Sequence, residues 1–422
     1  MRSLFRLGIV LLLLASAIAN AQKETTTMSN SRIDDAIMLM ESFVERTGLT
    51  AGDSPRRYLW TDAFAVCNFL GLAQVTEEER YKKLALKLVH QVHHNLGQHR
   101  GDDRRTGWIS GLSESDGEVH PTRGGLRIGK RLPERSTNER FDERLDWDRD
   151  GQYFHYLTKW MHALDQVTRS TGQAQFNLWA RELSERAQNA FTYQPTTARV
   201  HRMYWKMSVD LARPLVDSMG QHDPLDGYIT SVQLHSTATR IPESMNGPSL
   251  DEETGQFAAM IEKGEWTTVD PLGLGGLLID AYRVEQLMRE GVLSDEHLLE
   301  TLLTAALAGL QHYAKGGEFR LPAAYRLAFR ELGLAIGMHA VELMWKAAFR
   351  DPGRSSISPR VRARLQALME YAPIATTIES FWRDPEHQRT QTWFEHRDIN
   401  DVMLATSLVP EGFLILSLPS EK

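Results

Sequence analysis

The chain has 422 residues, of which 42% are hydrophobic and 24% charged, and its formal net charge is −7. That composition supports a large packed core, while the acidic balance and the lack of a long basic run exclude a nucleic-acid partner and an anionic membrane surface. The single cysteine, Cys67, excludes an intramolecular disulfide and Cys-based zinc sites, so stability must come from packing.

Residues 1–21 read as an export signal. Arg2 and Arg6 give a short positive region, Leu7 to Leu14 an apolar stretch, and Ala19-Asn20-Ala21 an A-x-A cleavage site. The stretch is too short to span a bilayer. The expectation is therefore a periplasmic or secreted mature chain, 22–422, folded as one domain; a start at Met28 would instead leave the protein in the cytoplasm. No other segment reads as a membrane span, so stable membrane insertion is not expected.

From there the 3.6-residue period and capping residues predict helices almost throughout. The first starts at Ser31, puts Ile33, Ile37, Met40 and Val44 on one face, and stops near Gly48. The second follows Trp60 and carries Phe64, Cys67, Phe69, Leu70 and Leu72. A capping box of Thr76 and Glu79 opens the third, which runs to about Gly97. A loop rich in Gly, Arg, Asp and Ser spans 98–146; loops of that length are usually functional or disordered. Helices resume over 151–171, 174–193, 203–219, 251–263, 272–290, 295–314, 325–349, 358–371 and 399–408, with 224–240 ambiguous. Ser294 and Ser358-Pro359 read as helix starts. No strand series is expected.

Two kinds of helix alternate. Segments 77–96, 174–191, 295–314 and 358–371 are amphipathic, whereas 62–72, 272–282 and 331–344 are apolar or small nearly all round. A helix buried on every side has the second pattern and a half-exposed helix the first. Six outer–inner pairs predict an all-α fold, an (α/α)6 toroid of six helical hairpins. Its inner helices would point the same way and bring their N-termini to one rim. The segments that meet there are Arg57–Asp62, Trp147–His155, Arg202–Lys206, Glu265–Asp270, Tyr325-Arg326 and Trp393–Asp398. Gly273, Gly275 and Gly276 would leave room beside them.

The hairpin count, the length and these aromatic-plus-carboxylate segments resemble the six-hairpin toroid enzymes of carbohydrate metabolism: (α/α)6 glycosidases, unsaturated-uronide hydrolases and the N-acylglucosamine 2-epimerase group. The resemblance covers roughly residues 30–415, is one of architecture, and implies a carbohydrate substrate; no diagnostic motif of one family is matched. Trp60, Trp147, Tyr153, Trp205, Trp266 and Trp393 suit stacking on sugar rings. Arg149 and Arg397, with Arg57, suit hydroxyls or a carboxylate.

Asp62, Asp148 and Asp270 are catalytic candidates, with Asp150, Glu395, Asp398 and Asp401 behind them. Glycoside hydrolysis needs one protonated and one ionised carboxyl; Asp62 and Asp148 are favoured because each lies beside a tryptophan at the start of an inner helix. His155 and His396 suit an epimerase, which moves a proton next to a carbonyl. The expected function is thus hydrolysis of a glycosidic bond, with a sugar epimerase or a non-catalytic glycan- or protein-binding toroid as alternatives. No metal or other cofactor is expected. Asp146-Trp-Asp-Arg-Asp-Gly matches only half a calcium loop, since Leu157 stands where a glutamate is needed. His90 and His94 share a helix face outside any H-E-x-x-H.

Overall fold

A computed structural model describes residues 30–51, 55–196, 200–241, 246–350 and 357–418. The export signal and Met28 lie outside the described residues. Helix α1 covers 30–46, followed by α2 (Leu59–Thr76) and α3 (Glu79–Leu96). Two one-turn helices, α4 (Glu114–Val119) and α5 (Glu143–Asp148), interrupt the expected long loop. Then come α6 (Phe154–Thr171), α7 (Ala174–Phe191), α8 (Asp223–Arg240), α9 (Asp251–Ile261), α10 (Pro271–Arg289) and α11 (Glu296–Gly316). The rest are α12 (Ala328–Arg350), α13 (Pro359–Met369), α14 (Pro373–Arg383), α15 (Gln391–Glu395), α16 (Arg397–Leu408) and α17 (Glu411–Leu414).

Six of these close a ring: α2 packs on α6, α6 on α8, α8 on α10, α10 on α12, α12 on α16, and α16 back on α2. The others lie outside it, α3 against α2, α7 against α6 and α8, α9 against α8, α11 against α10, and α13 with α14 against α12. Outer helix α1 is tied to α14 and α16 through Arg32, which bonds Glu379 and the Leu408 carbonyl. The fold is the all-α toroid of six hairpins.

The inner–outer contrast follows from side chains. In α2 every residue from Leu59 to Ala73 is buried. In α3 burial falls on Tyr81, Ala85, Leu88, Val89, Val92, His93 and Leu96, a stripe one helix face wide. The helix α12 is long and apolar enough to cross a membrane, contrary to the expectation that no segment after the export signal is. It is an inner-ring helix, packed between α10 and α16. Where α10 and α12 cross, a Cβ on Gly275 would stand 2.0 Å from the Gly333 carbonyl oxygen, so Gly275 allows backbone contact between helices rather than open space at the rim.

The expected boundaries shift at several points. Thr76 ends α2 and its hydroxyl accepts from the Glu78 N–H, so it opens no capping box. Asp295 rather than Ser294 caps α11, accepting from Leu298 N–H at 2.9 Å. Ser358 caps α13 as expected, with Pro359 in its first turn. The helix expected over 203–219 is absent. Instead β1 (Gln152–Tyr153), β2 (Thr192–Tyr193), β3 (Arg202–Met203), β4 (Lys206–Met207) and β5 (Pro214–Val216) form two small sheets, β1-β4-β5 and β2-β3. Pro214 and the turn through Ser208, whose hydroxyl accepts from the Ala212 and Arg213 N–H groups, break the helical period. The sixth inner helix is α8, over the ambiguous stretch.

The C-terminal ends of the ring are plugged. Residues 411–416 turn back beneath α2, α6 and α10, and their carbonyls accept from Gln166, Arg169 and Gln286 at 2.9 to 3.0 Å. Phe413 stacks on Phe64 at 4.4 Å. With that end closed, the N-terminal rim is the open end.

Candidate functional site

Local chain chemistry marks the rim. The N-cap residues of α2, α6, α8 and α16 are Tyr58, Tyr153, His222 and His396, and none makes a side-chain capping hydrogen bond. Ser, Thr, Asp or Asn at such positions contributes about 1 kcal/mol. Four inner helices forgo it, and place phenol and imidazole rings at their N-termini instead. The inner helix α10 has a conventional cap: Asp270 accepts from Gly273 N–H at 3.0 Å and pairs with Arg330.

The rings at the starts of α2 and α6 are contiguous. The Tyr58 and Tyr156 hydroxyls lie 2.7 Å apart. Tyr156 meets His155 edge-on at 4.9 Å between centroids, and His155 stacks on Tyr153 at 5.3 Å and on Trp205 at 6.4 Å. Trp147 stands edge-on to Trp205 at 5.4 Å and is 47% exposed, a large apolar surface open to solvent. Beneath them the buried ammonium of Lys206 holds the turn of α5, bonding the carbonyls of Asp146 at 2.6 Å and Arg149 at 3.0 Å.

At the foot of this wall lie two carboxyls that the sequence reading did not single out. Asp223 Oδ1 is 3.8 Å from His155 Nδ1, and Asp223 Oδ2 is buried with no hydrogen-bond partner among the described residues. Burial, with Asp226 one turn away, pushes Asp223 up to about 7. Burial would raise Asp226 too, but Lys159, bonded at 2.6 and 2.8 Å, and Arg283 outweigh it and hold that carboxyl below its ordinary range. The imidazoles go the other way. Burial lowers His155 to about 4 and also lowers His222 and His396. His222 Nε2 sits 3.1 Å from the Trp266 carbonyl oxygen, which can only accept, so Nε2 carries the proton and Nδ1 has the free lone pair. At neutral pH the rim thus holds neutral bases beside a carboxyl poised to carry a proton.

A cleft of about 1390 Å³ opens next to Tyr58, between the starts of α2 and α16 and the 98–148 arm. Asp62, Asp148, His396 and Arg397 all line it, together with Lys130. Lys130 Nζ lies 5.5 Å over the Tyr58 ring. Asp148 is exposed, whereas Asp62 is buried, paired with Arg57 at 3.3 Å and accepting the Tyr58 N–H at 2.9 Å. Its carboxyl, pushed to about 6 by burial against the opposing pull of Arg57, fixes the first turn of α2.

Several expected site residues also make packing or pairing contacts. Trp60 is buried on Phe64 at 4.4 Å. Trp393 is buried beside Trp382 at 5.6 Å and faces a separate outer groove. Arg149 pairs with Glu139 in the arm, and Arg397 lies 3.7 Å from Asp401. Trp266 is buried near His222, 6.1 Å between rings. In the partial calcium loop Asp146 pairs with Lys206 and Asp150 with Arg127, so both anions are already neutralised.

Ring, plug and rim together define a six-hairpin α/α toroid with one open mouth. No protein-family model matches the sequence, and no curated protein does. Among solved structures the chain is similar to a cellobiose 2-epimerase from Spirochaeta thermophila DSM 6192, with 11% identity, a TM-score of 0.46, and coverage of 92% of this chain and 99% of that one. It is also similar to a sugar epimerase from a ruminal bacterium, with 8% identity, a TM-score of 0.39, and 75% of each chain covered.

Proposed function

We propose that the protein is a sugar epimerase or isomerase, moving a proton at the carbon next to the carbonyl of an open-chain sugar. The observation that carries this is the cluster at the starts of α6 and α8, where the imidazoles of His155 and His222 are held neutral beside the buried Asp223 carboxyl; His396, also lowered by burial, stands at the start of α16. Such chemistry needs a neutral base to take the C–H proton and a donor for the oxygen that gains charge. His155 and His396 stand at the starts of α6 and α16, on either side of α2, as the two proton-transfer bases. Asp223, protonated below about 7, donates to the carbonyl oxygen. Trp147 and Trp205 stack on the sugar, with the buried Tyr153 ring behind them.

A second reading keeps hydrolysis of a glycosidic bond. Asp62 and Asp148 line the same cleft, and Asp62, raised to about 6, has the character of a general acid. Incubation with mono- and disaccharides separates the two. Products of unchanged mass and altered stereochemistry, lost in His155→Asn and His396→Asn, support the first reading. New reducing ends, lost in Asp62→Asn and Asp148→Asn, overturn it in favour of the second.

A further inference from the structure

Away from the proposed chemistry, we propose that His90, His94 and Glu118 form a divalent transition-metal site, zinc being the reference ion, that fastens the 98–148 arm to α3 at the lip of the cleft. His90 and His94 are one turn apart on the outward face of α3, with ring centroids 3.9 Å apart and an interplanar angle of 22°. Glu118 comes from α4, within the arm, and is 46% exposed. One ligand atom from each residue lies within 4.8 Å of the other two. Two imidazoles and a carboxylate are the donor set of borderline ions such as Zn²⁺, leaving a fourth tetrahedral position for water.

Hydrogen bonding supports ligation independently of that spacing. His94 Nδ1 is 2.8 Å from the His90 carbonyl oxygen, an atom that can only accept, so Nδ1 carries a proton. Nε2 then faces Glu118 Oε1 at 2.5 Å. A contact that short is a hydrogen bond with a shared proton, and a metal ion would take that proton's place once Glu118 moved back. An N–H donated to a carbonyl is also how metal-ligating histidines are commonly oriented. Ligand atoms around a tetrahedral zinc stand ~3.3 Å apart, given bonds of about 2.0–2.1 Å, so the exposed Glu118 need retreat by less than ~1 Å. The neighbouring His93 takes no part: it is buried, and its Nε2 accepts from Trp160 Nε1–H at 3.2 Å.

The site has a mechanical consequence. Among the residues of α4 only Gly117 is buried, and Val119 is 58% exposed, so this part of the arm has little apolar hold on the ring. Its attachments near Glu118 are polar, chiefly Trp179 Nε1–H to the Val119 carbonyl at 2.8 Å. Because His94 also lines the cleft, an ion there fixes one side of the mouth.

The test uses the untagged full-length chain, stripped of metal with EDTA and titrated calorimetrically with zinc chloride. One equivalent should bind with a dissociation constant at or below roughly 10 µM. His90→Ala and His94→Ala should each weaken binding at least about tenfold, as should Glu118→Gln. Unchanged thermal midpoints of the variants in EDTA show that they are folded. Zinc should slow proteolysis within 98–148 in the parent chain but not in His94→Ala. No saturable binding up to about 1 mM, or stoichiometric binding indifferent to all three substitutions, would overturn the site; equal cleavage rates with and without zinc would overturn the fastening. None of these results depends on whether the rim is an epimerase.

Discussion

Replacing Asp223 with Asn separates the stability of this protein from its proposed activity. In the unfolded chain the Asp223 carboxyl titrates near 3.8; in the folded protein, burial and the neighbouring Asp226 move it to about 7. Between those values the folded state holds a proton that the unfolded state has released. Asp223 therefore costs no stability below about pH 4, and stability falls as pH rises through 7, where it levels off. A displacement of about 3 units at 1.36 kcal/mol each makes the cost about 4 kcal/mol at pH 8, to order of magnitude. Asn is nearly isosteric and does not ionise, so Asp223→Asn should match the parent near pH 4 and exceed it increasingly up to pH 8. Urea unfolding at pH 4.5, 6 and 8 measures this directly. Sugar turnover should fall in the same variant, since an amide donates a hydrogen bond but no proton. Parallel stability–pH profiles for the two proteins would refute the claim that Asp223 is buried as an acid.

Three further outcomes follow from other parts of the fold. Burial would lower His339, but Glu342 and Glu379 outweigh it and raise the imidazole to about 9, so its contribution of roughly 3 kcal/mol should be intact below pH 6.5 and vanish as pH climbs through 9; an NMR titration giving an ordinary value for this ring would contradict it. Gly412→Ala would place a Cβ 2.2 Å from the Cys67 carbonyl oxygen and 2.5 Å from Gly71 N, so the plug must shift, at a cost of about 1–3 kcal/mol, visible as a lower thermal midpoint. Trp205→Ala should weaken sugar binding about tenfold while leaving the unfolding midpoint within about a degree, because the ring is half-exposed; calorimetry with a saturating sugar and a thermal melt read the two effects separately.

The ring itself was legible because burial writes a pattern. The continuous apolar run of α2 and the one-sided stripe of α3 are different sequences for different positions, and their alternation predicts two layers. The helix α8 was obscured by the same logic. It buries Asp226, Thr230 and Gln233 in a network with Lys159 and Arg283, and Ser231, Ser236 and Thr237 besides, so its buried face is polar and its apolar period is weak. With that helix unassigned, His222 and Asp223 at its start had no place on the rim. A usable signal was nevertheless present: tyrosine or histidine stands where a helix start calls for a short polar cap, and departures from local preference concentrate at functional sites. The side-chain pairings of Asp62, Arg149 and Asp270, by contrast, depend on partners that only the folded chain brings near.

The central claim is that the rim histidines move a carbon-bound proton. It is tested most directly by incubating the protein with a turned-over sugar in D2O and following the ¹H NMR signal of the carbon next to the anomeric centre. The account predicts that this signal disappears as deuterium enters from solvent, at a rate cut at least about a hundredfold in His396→Asn and His155→Asn. Turnover that leaves the signal intact would contradict it.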